Sequence, residues 1–406
     1  MKVLQICHKM PYPIVDGGSY SIYHTALGLI SQGADLKVFA INTPKNWVDV
    51  NNIPDDYKKK TRFEFSVVDT RLNLLKAFFN LFTSTSYFIG RFVSDQCNSD
   101  LKRILSNEEF DIIHLEHIYM CLYLDTIRKY SKAKVILRPQ NIEHGIWERV
   151  IKNTSNPFKK IFLFIATKRL KKFEITTVKK VDGIIAISPD EAKTLMMDAP
   201  GTPVINIPPG FDFTTIPSGD HEQKLWDDPV FYHLGSMDWE PNIQGLRWFI
   251  IEVIPCIIQD YPEFNFRIAG KKMPQWFYQQ RNRNLIVDGE IENPLIYHQD
   301  KNVLIIPLLS GGGIRVKIIE GMALGKTIIS TSIGAEGIPY TDGKNILIAD
   351  TKEDFIRQIN KCRNSPELCR EIGMNARMLA KEHFDRNILA QAMVAFYFNR
   401  NATTWP

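Results

Sequence analysis

The most informative segment of the sequence is residues 306–326, IPLLSGGGIRVKIIEGMALGK. A short apolar run leads into three consecutive glycines, and the residues after them place apolar side chains at helical spacing. A second apolar, β-branched run, Thr327–Ser330, follows directly. Two strands joined through a helix lie parallel in one sheet, so this segment predicts one unit of an α/β fold.

The alternation of short apolar runs with helical segments continues along the whole chain. In the first half, strands are predicted at Lys2–Cys7, Leu36–Ile41, Phe63–Val68, Ile112–Leu115, Lys134–Leu137, Gly183–Ile187 and Val204–Ile207. In the second half, they are predicted at Phe231–Leu234, Asn265–Ala269, Leu285–Val287, Val303–Pro307, Thr327–Ser330 and Ile346–Ile348. The pattern predicts two doubly wound parallel-sheet domains.

Domain boundaries follow from one stretch that breaks this alternation. Residues 208–220 contain prolines and glycines that suit neither a helix nor a central strand, and they are the predicted linker. The predicted domains are residues 1–207 and 221–384. Residues 385–406 read as a helix and a polar tail, which either stays with the second domain or crosses back to the first.

Composition is typical of a globular protein, with 44% apolar and 23% charged residues among 406. A net charge of +5 gives no reason to expect nucleic-acid binding. The six cysteines form no CxxC pair, which favours a reduced chain without structural zinc. The N-terminus is too polar for a signal peptide, and no window approaches about 20 apolar residues. These features predict a cytoplasmic location.

Glycines at two predicted helix starts are candidates for anion binding. Gly17 and Gly18 follow the first strand, and Gly311, Gly312 and Gly313 follow the strand at residue 306. Exposed backbone N–H groups at such positions favour a phosphate. The first pair does not fit GxGxxG, and no acidic residue follows at the spacing that binds an adenosine ribose, which disfavours a dinucleotide oxidoreductase. A tight turn with no ligand is the alternative.

Three charged residues follow the triple glycine. Arg315 and Lys317 lie in the first turns of the predicted helix, where cations oppose the helix dipole unless an anion is bound. A diphosphate is the ligand that this arrangement favours. Glu320, one turn further, is suited to accept hydrogen bonds from a ribose diol. For each of the three, a solvated helix face is the alternative.

Three motifs together resemble one enzyme family: YHLGSMDWEPN at residues 232–242, the glycine-rich segment at 311–325, and STSIGAEGI at 330–338. They are similar to the retaining family-four glycosyltransferases, in a subgroup with a GGGIRVK segment. The resemblance implies the GT-B fold, in which two Rossmann-like domains face an interdomain cleft. It implies an acceptor-side first domain and a second domain that binds the nucleotide sugar.

The resemblance implies transfer of a sugar from a nucleoside-diphosphate donor to a hydroxyl acceptor, with retention of configuration and without a metal or another cofactor. It implies donor contacts from Gly17, Gly18, Gly235, Gly311, Gly312, Gly313 and Glu320. Arg315 and Lys317 are then catalytic, because they stabilise the leaving diphosphate. The implied acceptor is a carbohydrate or a lipid-linked saccharide of a bacterial surface polysaccharide or glycolipid.

Three positions depart from the family pattern. Gly312 stands where most members have a first glutamate, and Ser236 and Asn242 stand where many have an Arg and a Lys for the diphosphate. Arg315 and Lys317 are the available substitutes, so the departures look coordinated.

The first domain contributes a second group of candidates, in FDIIHLEHIY at residues 110–119. By strand alternation His114 and Glu116 share a face, and His117 points the other way unless the chain has already turned. His117 and Glu116 both lie near the family's active-site histidine, and satisfied polar residues are the alternative for either. Arg138–His144 follows the next strand and is assigned to the acceptor side.

Two segments of the first domain suggest membrane contact. Leu72–Phe92 is rich in Leu and Phe, and Phe158–Lys180 carries eight basic residues against one acid. In the second segment an apolar stripe recurs at helical spacing: Phe162, Ala166, Leu170 and Phe173. Such a helix lies on an anionic membrane or, alternatively, packs its stripe on the core with a solvated basic face.

Two rival functions fit the same motifs. A nucleotide-sugar epimerase on this fold would convert the donor without an acceptor, and product analysis distinguishes it. A non-catalytic nucleotide-sugar-binding subunit is consistent with Gly312 in place of a glutamate. Measuring whether the purified chain turns over the donor would distinguish this function from that of an enzyme.

Overall fold

A computed structural model describes residues 1–80, 82–83, 85–152, 154–216 and 229–398. It divides into two compact units. Unit 1 contains residues 1–210 and the chain from Arg386 onward, and unit 2 contains residues 211–385. The predicted linker is described only as far as residue 216, and the predicted polar tail lies outside the described residues, which end at residue 398.

Each unit is built on one parallel sheet. Unit 1 has the strand order β3-β2-β1-β4-β5-β6-β7, with β1 Lys2–Cys7, β2 Asp35–Asn42, β3 Glu64–Val67, β4 Ile112–Glu116, β5 Lys134–Arg138, β6 Gly183–Ala186 and β7 Val204–Asn206. Unit 2 has the order β10-β9-β8-β11-β12-β13, with β8 Phe231–Leu234, β9 Phe266–Ala269, β10 Leu285–Gly289, β11 Val303–Ile306, β12 Thr327–Ser330 and β13 Leu347–Ile348. Every predicted strand is present, so the predicted α/β class with two Rossmann-like sheets is confirmed.

Helices connect the strands of both sheets. Those of unit 1 are α1 Gly17–Ser31, α2 Asp55–Lys60, α3 Leu74–Asn80, α4 Tyr87–Gly90, α5 Asp95–Asn107, α6 Leu124–Tyr130, α7 Glu143–Lys152, α8 Pro157–Thr177 and α9 Pro189–Asp198. Those of unit 2 are α10 Glu240–Trp248, α11 Ile254–Asp260, α12 Gln275–Gln280, α13 Pro294–Gln299, α14 Val316–Ala323, α15 Lys352–Asn364 and α16 Pro366–Phe384. The helix α17, Arg386–Phe398, belongs to unit 1. Short 3₁₀ helices span Pro44–Asn46, Val50–Asn52, Ile118–Tyr123 and Phe213–Thr215, and Phe249–Val253 is π-helical.

Strand alternation explains the two cores of unit 1. Along β1, Leu4 and Ile6 pack into the cluster on one face of the sheet, while Val3 and Cys7 pack into the cluster on the other. All four side chains are fully buried. Burial of one such aliphatic side chain stabilises the fold by about 1.5–3 kcal/mol. A strand that is apolar on both faces is what a sheet covered by helices on both sides requires.

The last helix completes unit 1 through close contacts. A Cβ atom at Gly28 of α1 would stand 3.0 Å from the Cβ of Ala390 on α17, and one at Gly183 would stand 2.9 Å from the Phe396 ring. The two glycines therefore let α17 approach both α1 and β6. The Tyr397 hydroxyl lies 2.6 Å from His114 Nδ1. Of the two placements that the sequence leaves open for this helix, the structure has the one on the first unit.

The basic helix α8 packs on the core with the stripe that the sequence identifies. Ala166 and Leu170 are buried in a core cluster, and Phe162 and Phe173 pack against the same cluster. This stripe is therefore not available to a membrane, and the core-packed alternative describes it.

Two observations bear on membranes and thiols. Within the described ranges, no helix is both long and apolar enough to cross a bilayer. All six cysteines are free thiols, and five of them are buried.

Candidate functional site

The candidate site of unit 2 lies where β8 and β11 end. The loop after β11 contains the triple glycine and leads into α14, whose N-cap is Arg315. The loop after β8 leads through Gly235 to α10. Because both strands are parallel and neighbours in the sheet, their carboxyl ends bring the two loops together.

The glycine loop has a backbone that other residues rarely adopt. Gly311 has φ 126° and Gly313 has φ 81°. A Cβ atom at Gly311 would come within 2.8 Å of Arg315 Nη2 and 3.0 Å of the Trp239 ring. The loop therefore needs glycine for its conformation and for the close approach of these two side chains.

The buried side chain of Arg315 is hydrogen-bonded to the backbone of the glycine loop. Its Nη1 donates hydrogen bonds to the carbonyl oxygens of Gly312 and Gly313, and its guanidinium lies 4.9 Å from the centre of the Trp239 ring. Glu336, from the third motif, approaches to 4.0 Å. The side chain is buried, at 6% exposure. The sequence predicts a cation facing an anion, and the structure adds a role in shaping the loop.

Lys317 is half-buried among neutral partners. Its Nζ donates to Asn242 Oδ1 at 2.8 Å and lies 3.2 Å from His233 Nε2. His233 Nδ1 lies 2.7 Å from the carbonyl oxygen of Ile305 and therefore carries the proton, so Nε2 accepts from the lysine. Burial, with the nearby charge of Arg315, lowers the pKa of Lys317 to about 7. This amine exchanges its proton near neutral pH.

Glu320 lies one turn beyond Lys317 on α14. Burial raises the pKa of Glu320 to about 7, although the positive charge of Lys317 opposes the rise. In the described part of the chain, no side-chain hydrogen bond or ion pair reaches its carboxylate. A ligand that donates hydrogen bonds to such a buried carboxylate stabilises its charged form.

Gly235 leaves room for the lysine amine. A Cβ atom there would stand 2.5 Å from Lys317 Nζ and 3.0 Å from His233 Nε2. Asn242 completes the arrangement, because its Nδ2 donates to the Ser236 carbonyl oxygen at 2.7 Å while its Oδ1 receives the lysine. The amine of Lys317 thus lies beside the two positions, 236 and 242, that depart from the family pattern.

The candidate site of unit 1 includes the start of α1. Asp16 is the N-cap, and its carboxylate accepts from the Ser19 backbone N–H, so the helix begins at Gly17. Lys9 Nζ lies 2.7 Å from Asp16 Oδ1. A Cβ atom at Gly18 would stand 2.5 Å from the same amine. Gly17 and Gly18 therefore form the first turn of the helix, beside a lysine.

His117 occupies the end of β4, where the chain has turned. Its φ is 90°, and it caps the 3₁₀ helix at Ile118–Tyr123. Its Nδ1 accepts from the Tyr119 backbone N–H, so Nε2 carries the proton and donates to Glu143 Oε1 at 3.2 Å. The Tyr119 hydroxyl donates to the other Glu143 oxygen at 3.0 Å.

Glu143 is fixed by its surroundings. Burial alone raises the pKa of this carboxyl, but the hydrogen bonds from His117 and Tyr119 outweigh burial and hold the pKa below its ordinary value. Its backbone N–H donates to Glu174 Oε1 at 2.9 Å. The His8 ring contacts the His117 ring at a tilt of 36°, with centres 4.1 Å apart. His117 and Glu143 thus form a rigid pair with a negative charge.

Glu116 differs from its predicted place among the catalytic residues. The strand β4 extends through Glu116, so the side chain is fully buried in the sheet. Gln5 Nε2 and Gln140 Nε2 donate to its two oxygens at 2.9 and 2.8 Å, and Arg138 lies 3.8 Å away. Burial alone raises the pKa of Glu116, but Arg138 and His114 outweigh it and lower the pKa to about 2. In this position the carboxylate joins β4 to Gln5 of β1 and to Gln140 after β5, and its catalytic role stays a prediction.

Sequence reasoning did not name His233, Trp239, Tyr119 or Glu143 as site residues. His233 and Trp239 lie within the motif at residues 232–242, Tyr119 lies within the motif at 110–119, and Glu143 lies within the segment Arg138–His144 that is assigned to the acceptor side. A polar residue directly after a parallel strand is the signal that points to such positions.

Across the residues that the structure describes, no three His, Cys, Asp or Glu side chains come together in a way that could hold a metal ion.

Comparisons with known proteins agree with this architecture. Residues 228–365 match the family model "Glycosyl transferases group 1". A Klebsiella pneumoniae protein, "Uncharacterized 44.6 kDa protein in cps region", is 24% identical over 95% of this chain and 96% of its own length. Sucrose-phosphate synthase from Thermosynechococcus elongatus superposes with a TM-score of 0.70 at 16% identity, covering 98% of both chains.

Anabaena Alr3699/HepE, solved in complex with UDP, has a TM-score of 0.66 at 13% identity, covering 98% of this chain and 99% of its own. The same protein in complex with UDP-glucose gives 0.64 over the same shares. The fold is therefore that of the GT-B glycosyltransferases, with two Rossmann-like sheets, and the group 1 match lies wholly within unit 2.

Proposed function

We propose that this protein is a retaining glycosyltransferase of the family-four type, which transfers a sugar from a nucleoside-diphosphate donor to a hydroxyl acceptor. The observation that carries the proposal is the group of Lys317, Arg315 and the glycine loop at the end of β11, inside the group 1 match. The structures of Alr3699/HepE with UDP and UDP-glucose support a nucleotide-sugar donor.

The diphosphate is assigned to the loop and the start of α14. The backbone N–H groups of Gly311–Gly313 and the positive end of the helix dipole favour an anion. Lys317 supplies a cation that has only neutral hydrogen-bond partners in the described structure, so a phosphate oxygen gives it the charge partner it lacks. Glu320 is assigned to the ribose hydroxyls, which donate hydrogen bonds to its carboxylate.

Catalysis follows from the growth of charge. As the bond between the anomeric carbon and the diphosphate oxygen lengthens, negative charge accumulates on the leaving diphosphate. Arg315, Lys317 and the loop N–H groups stabilise that charge more in the transition state than in the bound donor. The proton of the acceptor hydroxyl passes to a leaving phosphate oxygen on the same face. These cations serve the role that a metal ion serves in other transferases, so the proposed reaction is metal-independent and needs no cofactor.

The acceptor is assigned to unit 1. His117 and Glu143 form the polar pair at the end of β4 that would orient its hydroxyl. We propose a carbohydrate or lipid-linked saccharide as the acceptor, in cytoplasmic synthesis of a bacterial surface polysaccharide or glycolipid. The relative named for a cps region supports this assignment.

Calorimetry tests the donor site. Titration with UDP, GDP, ADP and TDP is expected to give one tight ligand, and Glu320→Gln is expected to weaken its binding by about 1.5–3 kcal/mol, since a charged hydrogen-bond acceptor is lost. Unchanged affinity in a folded variant removes Glu320 from the site.

Product analysis tests the reaction. The wild-type protein with donor and acceptor is expected to form a glycoside of the donor's anomeric configuration. Binding without turnover would favour the non-catalytic subunit, for which Gly312 in place of a glutamate is the specific observation. Conversion of the donor alone would favour the epimerase.

A further inference from the structure

Unit 1 exposes large apolar side chains on two helices. On α8, Phe158, Ile161 and Phe164 are each at least 60% exposed. On and beside α3, a second set is at least 65% exposed: Leu72, Leu75, Phe79 and Phe82. Soluble proteins rarely expose so many large apolar groups in one region unless they bind something there.

The two helices are neighbours. Arg169 Nη1, on α8, donates to the carbonyl oxygen of Asn80 at the end of α3, at 2.7 Å. The Ser86 hydroxyl, at the start of α4, donates to the carbonyl oxygen of Ala166 at 2.8 Å. The seven exposed side chains therefore belong to one region, which we call the α3–α8 surface.

The exposed residues of α8 are distinct from its core stripe. At 100° per residue, Leu163, Ala166 and Leu170 point toward the core, and Ile161 and Phe164 point away from it. The outward face of α8 thus combines apolar side chains in its first turns with four lysines, three of which lie in its later turns. The lysines of this face are Lys160, Lys168, Lys171 and Lys172.

The charge of this surface is positive. Between Phe158 and Lys180 the chain has eight basic residues and one acid, Glu174. Glu174 is buried and hydrogen-bonded to His144, so it does not offset the lysines on the outer face. A second copy of the chain would bring like charges together, which disfavours self-association through this surface.

We propose that the α3–α8 surface docks on an anionic lipid bilayer, with its aromatic and aliphatic side chains at the level of the headgroups. Apolar side chains gain free energy by entering the acyl boundary, while lysines along the same face remain in the aqueous layer beside lipid phosphates. A basic face that contacts only water does not account for the exposed phenylalanines. A helix face that packs on a protein core does not account for the lysines.

Vesicle co-sedimentation tests the proposal without reference to glycosyl transfer, so its outcome is separate from that of the proposed function. Wild type is compared with an apolar variant, Phe158→Ser, Ile161→Ser and Phe164→Ser, and with a basic variant, Lys160→Gln, Lys168→Gln and Lys172→Gln. Lys171 and Arg169 are left intact, because the first pairs with Glu148 and the second holds Asn80.

Two control variants carry the same number and type of substitutions at exposed positions outside the α3–α8 surface. Ile251→Ser, Met374→Ser and Met378→Ser remove three exposed apolar side chains of unit 2. A second control removes three exposed lysines from other elements of unit 1: Lys45→Gln, Lys59→Gln and Lys132→Gln. Circular dichroism confirms that each variant is folded.

We expect wild type and both controls to bind phosphatidylglycerol-containing vesicles at low salt and to ignore pure phosphatidylcholine vesicles. Each lysine near an anionic surface contributes about a fivefold gain, so the basic variant is expected to bind at least tenfold more weakly. The apolar variant is expected to lose at least tenfold as well.

Three results overturn the proposal. One is the absence of wild-type binding to anionic vesicles at low salt. Another is equal binding by wild type and the apolar variant, which would mean adsorption by charge alone. The third is a wild-type dimer in analytical ultracentrifugation that the apolar variant dissociates, which would assign the surface to a second copy.

Discussion

The proposed contact of Lys317 with the diphosphate predicts that donor affinity depends on pH. Burial and Arg315 lower the pKa of the lysine to about 7, so about half of the free protein carries the charged amine at pH 7 and about 1% at pH 9. A diphosphate binds the charged form. Above pH 7, each pH unit must therefore cost about tenfold in affinity, until the pKa of the complex is reached.

The perturbation that isolates this effect is Lys317→Met. A charge-assisted hydrogen bond contributes about 1.5–3 kcal/mol, so at pH 7 the variant is expected to bind nucleoside diphosphate about 10-fold to 150-fold more weakly than the charged wild type. The two affinities should converge as the pH rises to 9. The dissociation constant of Lys317→Met should change much less over this range, in which the phosphates are mostly ionised and Glu320 is the titrating group that remains.

Glu320 titrates in the same range and needs its own control. Burial raises the pKa of Glu320 to about 7, so its ionisation also adds a negative charge as the pH rises. Glu320→Gln removes that titration and is expected to keep the pH slope of wild type. Calorimetry at pH 7, 8 and 9 measures all three proteins. A pH slope in Lys317→Met as steep as that in wild type, or a flat wild type, would refute the reasoning.

Three further predictions concern other parts of the molecule. Glu143→Gln removes the charged acceptor of the His117 proton, and is expected to lower kcat/KM about tenfold while calorimetry shows unchanged nucleotide affinity. Glu116→Gln leaves Arg138 without its buried charge partner and is expected to destabilise unit 1 by about 3–5 kcal/mol, measured by urea unfolding. Because the folded pKa of Glu116 is depressed to about 2, its stabilisation is present above its ordinary pKa and is lost as the pH falls toward 2, and the variant should lack that loss. Donor turnover is expected to be insensitive to EDTA, and activity lost with EDTA and restored by magnesium would contradict the proposed role of Lys317.

Sequence reasoning predicts the strands well because parallel strands are buried on both faces. Each appears as a continuous apolar run bounded by turns, as in Val303–Ile306, and this signal does not depend on distant residues. The candidate groups of unit 2 are also visible in sequence, since Gly311, Arg315 and Lys317 lie within one short segment.

Contacts between distant segments are what the sequence leaves out. Glu116 is a candidate because it lies near the position of the family's active-site histidine, whereas pairing with Arg138 on β5 extends β4 through Glu116 and buries its side chain. The hydrogen bond of Lys317 with His233 joins the helix α14 to the strand β8, 84 residues apart in sequence, and has no local signature. The outward aromatics of α8 were missed because helical spacing alone does not say which face meets the core.

The return of α17 to the first unit has a consequence for synthesis on the ribosome. The core beneath α1 includes Met393, Phe396 and Tyr397, which emerge only after the whole of unit 2 has been made. At bacterial elongation rates this delay is on the order of ten seconds or more. Until α17 has been synthesised, unit 1 exposes an apolar groove over α1 and β6. Unit 2, by contrast, folds from one continuous stretch of chain. Nascent chains stalled before residue 386 should accordingly bind chaperones through residues 1–210.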